Sequence, residues 1–212
     1  MTINPIAGRE QTLKKILVTL ALLASFASPA QAAELFGITF GGKASDYKIG
    51  EALAEQGSMR MYKVVPPKPD AGFPGYALTA YEGRVVRITA FSRADYSKEG
   101  TETQKLFAST VEWLKKRFGE PAIFDDTLAS DSKLTAPDQW RQSMLDRERI
   151  MQSMWVLPDA KSGDDLEAVW LEGNAIPMTP EAASFLTISA RVKDFPLYEK
   201  KAAQEAAPAE AK

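Results

Sequence analysis

The chain has 212 residues, with 26 Lys and Arg against 28 Asp and Glu, and a formal net charge of −2. This near balance provides no basic surface for nucleic acid, so we expect no nucleic-acid partner. The sequence has no His and no Cys, which excludes disulfides, thiolate chemistry and the commonest general base and metal ligand. We therefore assign no catalytic residue, no metal site and no cofactor from the sequence.

The first 32 residues have the pattern of a secretory signal peptide. Lys14 and Lys15 precede an apolar run over 16–26, and Ala30-Gln31-Ala32 matches a small-x-small cleavage pattern before Ala33. The run is too short to span a bilayer well. An uncleaved anchor and a buried helix are the alternatives. The pattern predicts an exported protein, periplasmic or secreted, that does not span a membrane after cleavage.

The first half of the exported chain is expected to contain a short helix, a strand and a rigid loop. Ser45 or Asp46 can cap a helix that ends at Gly57. Weak alternation over 59–65 predicts a strand. The proline-rich stretch 66–75 predicts a surface loop, because proline fits neither a helix interior nor an inner strand.

A β-hairpin is predicted within 76–96. Apolar residues alternate with polar ones before and after Glu82-Gly83, where glycine permits a tight turn. Tyr76, Leu78 and Ala80 would share one side of the first strand. We expect the helix that follows to cover one face of this hairpin.

That helix is predicted over 101–118. Its large apolar residues recur at helical spacing, and Gly119 follows its end. Thr101 and Gln104 have the spacing of a capping box.

The second half reads mainly as strands. A polar, irregular stretch over 123–137 is expected to precede strands at 140–145, 150–157, 166–171 and 185–192, and a disordered tail at 199–212. The short connections favour antiparallel pairing. The fold class is thus α+β: a single domain over 33–198 with a mostly antiparallel sheet of about six or seven strands, one long helix over 101–118 on one face, and a short N-terminal helix. Gly57 and Gly119, each placed as a helix end ahead of a strand, suggest a weak internal duplication.

Two short motifs resemble catalytic or phosphate-binding signatures but are incomplete. The stretch 37–44 has the glycine and lysine spacing of a phosphate-binding loop, yet Ala44 stands where Ser or Thr would hold Mg²⁺. Ser130 and Lys133 have S-x-x-K spacing without the partner motifs of β-lactamases. Two acidic clusters, at 125–131 and 164–165, lack the spacing of a calcium loop. We interpret all of these as turns and loops.

Tryptophan and methionine are concentrated in the second half of the chain. These side chains fill cores, and they also line adaptable apolar grooves. Because Met154 and Trp155 are adjacent, a strand must place them on opposite faces. The candidate ligand- or partner-binding residues are Trp140, Met154, Trp155 and Trp170.

The chain resembles the small uncharacterised periplasmic α+β proteins of Gram-negative bacteria. The resemblance rests on the signal-peptide pattern, the early segment 35–41 and the helix end at 116–121. It implies location in the cell envelope and no particular activity. The leading hypothesis is a non-enzymatic binding or accessory protein whose partner is another envelope protein, a peptide or an apolar ligand. The alternatives are an envelope-polymer hydrolase using Asp and Glu carboxylates, and an inhibitor or immunity-type protein that acts through the loop 66–75.

Overall fold

The computed structural model describes residues 34–178 and 181–207. The chain divides into two units, Met1–Ala32 and Ala33–Lys212, and every described residue belongs to the second. The predicted signal peptide and its cleavage site lie outside the described residues.

The described chain is built from short antiparallel strands and three α-helices. The strands are β1 (Glu34–Leu35), β2 (Ile38–Thr39), β3 (Lys48–Gln56), β4 (Met59–Val65), β5 (Gly75–Tyr81), β6 (Arg84–Phe91), β7 (Ile123–Leu128), β8 (Arg149–Val156), β9 (Leu166–Ile176) and β10 (Ala183–Val192). The helices are α1 (Thr101–Phe118), α2 (Trp140–Leu145) and α3 (Phe195–Ala206). Short 3-10 turns occupy Ala44–Asp46 and Pro137–Gln139.

Eight strands form one antiparallel sheet in the order β3-β4-β5-β6-β10-β9-β8-β7. β1 and β2 pair separately. The α+β class with an antiparallel sheet is confirmed. The sheet has eight strands rather than six or seven, and the described residues contain three α-helices rather than one long helix and a short N-terminal one.

The sheet consists of two four-stranded meanders that meet at the β6–β10 seam. The first meander is followed by α1 and the second by α3. The sequence suggested a duplication because Gly57 and Gly119 were both placed at helix ends. In the structure, Gly57 lies in the β3–β4 turn and Gly119 alone of the two follows a helix, so the glycines do not account for this repeat of topology. The two helices also lie on opposite faces of the sheet, which a simple two-fold duplication would not produce.

One face of the sheet, here called the covered face, carries the core. Leu78, Ile88, Leu171 and Ile188 have no exposed surface and point to this side through the alternation of their strands. Helix α1 contacts β9 and β10 from this side. Its Thr103 Oγ1 is 2.9 Å from Ser184 Oγ of β10.

The hairpin is present, and the N-terminal segment packs against it together with α1. β5 and β6 flank Glu82 and Gly83, whose φ values of 49° and 78° are those of the tight turn that suits a two-residue hairpin. Phe36 of the N-terminal segment lies between the hairpin and α1. Phe36 meets Tyr76 edge to face, with ring centroids 5.0 Å apart, and stacks on Trp113 of α1 at 5.7 Å.

The predicted N-terminal helix is wrong, because this stretch forms the edge strand β3. β3 pairs with β4 from Lys48 to Gln56 with two register irregularities. Ile49 and Leu53 have helical spacing, but Leu53 is 61% exposed and does not share a buried face with Ile49. Pairing with a neighbouring strand outweighs a weak local preference here.

Two elements of the second half also differ from expectation. The stretch 140–145 is helix α2 rather than a strand: Trp140, Ser143 and Met144 are buried at spacings of three and four residues, which is a helical pattern. The stretch predicted as irregular contains β7, which pairs with β8 along its whole length. β7 was hard to recognise because its acidic residues suit an exposed edge strand as well as a loop.

The C-terminal stretch described by the structure is helical. α3 continues to Ala206, so residues 199–206 are not the predicted disordered tail, and residues 208–212 lie outside the described ranges. Pro196 stands in the first turn, where its missing N–H costs no helix hydrogen bond. Ala202 has no exposed surface, so the helix is a packed element despite its polar composition.

Candidate functional site

The side of the second meander that faces away from α1 is exposed, and we call it the open face. It is formed by side chains that alternate with those of the core on β6 to β10. Ile123 of β7, Ile150 and Val156 of β8 and Ile176 of β9 are 42–48% exposed on this side. Ile123 and Val156 adjoin Met154 on this face, whereas the polar row Asp125, Gln152 and Glu172 separates them from Ile150 and Ile176. Clustered exposed apolar residues are typical of interaction surfaces.

The register aligns two rows of side chains across the open face. The first row places Ile123 beside Met154, and Met154 beside Trp170. The second row places Val156 beside Ala168, Ala168 beside Arg191, and Arg191 beside Arg87 on β6. The open face therefore joins an apolar cluster on β7 and β8, formed by Ile123, Met154 and Val156, to a charged half at the central seam.

The four candidate residues from the sequence separate into two pairs. Met154 and Trp170 are cross-strand neighbours on the open face, both half-buried. Trp155 is 1% exposed on the covered face, and its Nε1 donates to the carbonyl of Gly119 at 2.9 Å. Trp140 is buried in α2. The structure brings together Met154 and Trp170 and places Trp155 and Trp140 in the core.

The charged half of the open face contains two arginines that are direct cross-strand partners, Arg87 and Arg191. Each guanidinium lies over an aromatic ring. That of Arg191 is 4.5 Å from the centroid of Trp170, and that of Arg87 is 5.5 Å from the centroid of Phe195 at the start of α3. Such stacking fixes the plane of a guanidinium and is favourable.

These residues line a small cavity, which we call the arginine pocket. Its volume is about 240 Å³, and its lining consists of Arg87, Trp170, Glu172, Ser189, Arg191, Phe195 and Glu199. Arg87 Nε donates to Ser189 Oγ at 2.9 Å. Two positive and two negative side chains therefore surround one cavity with two aromatic walls.

Helix α3 is held in place by a pair of tyrosines. The ring of Tyr198 stacks on Tyr81 of β5, with centroids 4.8 Å apart and planes at 12°. Tyr198 donates to Asp164 at 3.0 Å, and Arg84 pairs with the same carboxylate at 2.6 Å. Burial, followed by the hydrogen bond to Asp164, raises the pKa of Tyr198 to about 12. These contacts anchor the turn of α3 that presents Phe195 and Glu199 to the arginine pocket.

The other end of α3 is attached to the first meander. Glu205 accepts from the backbone N–H of Ser58 at 2.6 Å and from Tyr81 Oη at 3.0 Å. The hydrogen bonds from Ser58 lower the pKa of the Glu205 carboxyl. Helix α3 thus crosses the first meander on the side of the open face and leaves β7 to β9 uncovered by it.

The glycine loop over 37–44 lacks the arrangement that phosphate binding requires. Backbone N–H groups of such a loop must point at the ligand. Those of Gly41, Gly42 and Ala44 instead donate to the carbonyls of Val85, Thr39 and Gly83. Through these hydrogen bonds the loop attaches the N-terminal segment to the hairpin, which agrees with its interpretation as a turn.

The remaining polar motifs have local roles. Ser130 and Lys133 are exposed in the connection after β7. Asp126 pairs with Arg149 at 3.3 Å, and Asp165 accepts from the N–H groups of Lys161 and Ser162 in a turn. Within the described ranges, no three acidic side chains meet in a way that could hold a metal ion.

The proline-rich loop is fixed at both ends. Pro66 and Phe73 are buried, and the backbone N–H of Lys68 donates to the carbonyl of Phe36 at 3.0 Å. Asp70 N–H donates to Tyr76 Oη at 2.7 Å. Residues 67–71 form the exposed tip of the loop.

Comparison with protein-family models, with curated proteins and with solved structures found no significant match. None of the helices in the described ranges combines the length and apolarity that crossing a membrane requires.

Sequence reasoning did not identify Arg87, Arg191, Phe195 or Glu199. A signal was present at both arginines, since each is a charged residue in the interior of a strand of mainly apolar and β-branched residues. Their proximity depends on β6 pairing with β10, which are separated by about a hundred residues of chain. Phe195 and Glu199 were assigned to the last residues of the domain and to a tail, so their contact with the sheet was not foreseen.

Proposed function

We propose that this is an exported, non-enzymatic binding or accessory protein of the cell envelope, and that its open face holds another envelope protein. The observation that carries the proposal is the row Ile123, Met154 and Trp170, which places apolar side chains side by side on an exposed part of the sheet. The signal-peptide pattern of residues 1–32 supports export.

The dimensions of the open face favour a protein over a small molecule. From β7 to β10 it spans three inter-strand spacings, roughly 15 Å at about 4.8 Å each. It is broad, and the arginine pocket at its side is smaller than the cavities that typically enclose a drug-sized ligand. Aromatic and methionine side chains in the middle of such a surface, with polar groups at its side, have the composition of a protein interface.

The alternative hypotheses have weaker support. Glu172 and Glu199 share the arginine pocket, but both are exposed, whereas a hydrolytic general acid depends on a site that excludes water. The loop proposed for an inhibitor has a short exposed tip between anchored ends. Neither observation favours these functions over binding through the open face.

Site-specific photocrosslinking tests the proposal. A photoreactive amino acid replaces Val156 on the open face or, as the matched control, Glu112 on the outer surface of α1, whose side chain is 66% exposed. After export in the native host and irradiation, we expect one defined adduct from position 156 and none from position 112. A second substitution, Trp170→Glu, should abolish the adduct by placing a charge in the apolar row. Equal labelling from both positions, or an adduct that survives Trp170→Glu, would refute binding through the open face.

A further inference from the structure

No carboxylate of the described chain hydrogen-bonds to either member of the arginine pair. Like charges on directly opposite residues of neighbouring strands destabilise a sheet, and here they lie at its central seam. Among the described residues, one carboxylate lies within ion-pairing distance of either guanidinium: Glu167 Oε2, 3.7 Å from Arg191 Nε. That distance is too long for a hydrogen bond, and Arg191 Nε is buried with no hydrogen-bond partner in the described part of the chain.

Both guanidiniums are nevertheless held in fixed positions. Trp170 and Phe195 stack against them, and Ser189 accepts from Arg87 Nε. Within the described ranges, this is the only side-chain hydrogen bond that either arginine makes. The terminal nitrogens of both guanidiniums therefore remain available to a ligand. A planar guanidinium with free terminal nitrogens binds a carboxylate through two parallel hydrogen bonds.

The remaining lining of the pocket narrows the chemistry of the ligand. Glu172 and Glu199 would repel a second negative charge on the ligand, and they can accept a hydrogen bond from an N–H group of the ligand. A volume of about 240 Å³ suits one amino-acid residue rather than a larger ligand. We infer that the arginine pocket binds a carboxylate with an ammonium or peptide N–H beside it, as in a free amino acid or the C-terminal residue of a peptide.

This inference rests on the proposed function and specifies the group that the open face recognises. It is tested on the purified protein, without the partner. The probes are alanine, trialanine, and trialaninamide, in which an amide replaces the terminal carboxylate. Affinity is measured by calorimetry, and location by the indole N–H resonance of Trp170, assigned with Trp170→Phe.

We expect trialanine to bind at least about tenfold more tightly than trialaninamide, which is the effect of losing one charge-assisted hydrogen bond. Its binding should shift the Trp170 resonance. Arg87→Gln and Arg191→Gln should each weaken binding by a similar factor. The control is Arg60→Gln, which removes an arginine of β4 that pairs with Glu55 of β3. It should leave the affinity for trialanine unchanged. If alanine binds as tightly as trialanine, a free amino acid is sufficient as the ligand. If trialanine binds and alanine does not, the ligand is a peptide terminus.

Equal affinity for trialanine and its amide together with no binding of alanine, or no shift of the Trp170 resonance by either carboxylate probe, would overturn the inference. The comparison of acid and amide uses the unaltered protein, so an arginine variant that fails to fold does not affect it. Crosslinking at position 156 that persists while these probes fail would reject the arginine pocket alone. Carboxylate binding without crosslinking would reject the envelope partner alone.

Discussion

Gly100 shows how a single residue links two distant elements of the covered face. It precedes α1 with a φ of 60°, a left-handed conformation that costs residues with a side chain about 1–2 kcal/mol. A Cβ at this position would also overlap the indole ring of Trp140, which is buried. The absence of a side chain at Gly100 therefore allows α2 to pack against the start of α1.

Gly100→Ala should destabilise the protein more than its backbone conformation alone explains. The matched control is Gly83→Ala in the hairpin turn, where φ is 78° and a Cβ would meet no atom within 4 Å. We expect the control to lose about 1 kcal/mol and Gly100→Ala to lose at least about 1 kcal/mol more, because an overpacked core side chain must move. Urea unfolding measures both free energies. Equal losses would show that Trp140 does not limit this position.

At the scale of elements, the start of α1 is capped from outside the helix. The predicted capping box is wrong, because the N-cap is Gly100 and makes no side-chain cap. Asp95 provides the cap instead: its Oδ2 accepts from the N–H groups of Glu102 and Thr103 at 2.9 and 3.2 Å. Asp95 also forms a β-bridge with Ser184 of β10. One side chain thus fixes where α1 begins relative to the sheet.

Asp95 should make the stability of the protein depend on pH. Burial alone would raise the pKa of this carboxyl, but the hydrogen bonds from Ser97, Thr103 and Glu102 outweigh it and lower the pKa below 3.8. A lowered folded-state pKa means that the stabilisation is complete above about pH 4 and is lost as the pH falls through the folded pKa. Asp95→Ala should therefore cost about 1–2 kcal/mol at pH 7, the usual value of an N-terminal cap, and less at pH 3.

Thermal unfolding of Asp95→Ala and the unaltered protein from pH 3 to pH 7 measures this difference. Asp131→Asn is the control, because Asp131 is exposed in the connection after β7. We expect the control to follow the unaltered protein at every pH. A difference for Asp95→Ala that stays constant down to pH 3 would show that the ionised carboxylate does not form the cap.

At the scale of the whole molecule, the features that depend on local sequence patterns were predicted better than those that depend on long-range strand pairing. The hairpin and α1 were found because alternation and helical spacing are local, and glycines mark their ends. The edge strands β3 and β7 were missed because exposed strands do not need an apolar face, so their sequences resemble a helix or a loop. Met154 and Trp155 were correctly placed on opposite faces by alternation. The arginine pocket could not be predicted, since it depends on strand order and on α3 returning to the sheet.

Truncation tests whether α3 is an integral part of the fold. A chain that ends at Tyr198 keeps one turn of the helix, which is too short to persist. It also loses the buried Ala202 and the attachment of Glu205 to Ser58 and Tyr81. Phe195 and Tyr198 should then leave the sheet, and the loss of one buried aromatic side chain alone predicts a decrease of at least about 2 kcal/mol in the free energy of unfolding.

A chain that ends at Ala207 is the control for this truncation, because it keeps every described contact of α3. We expect it to unfold at the same urea concentration as the full chain, while the chain ending at Tyr198 unfolds earlier and no longer binds trialanine. Equal stability of all three chains would mean that the helix contributes nothing to the fold. In that case Phe195 and Glu199 would not be held at the arginine pocket, and the pocket would have to be formed by β6, β9 and β10 alone.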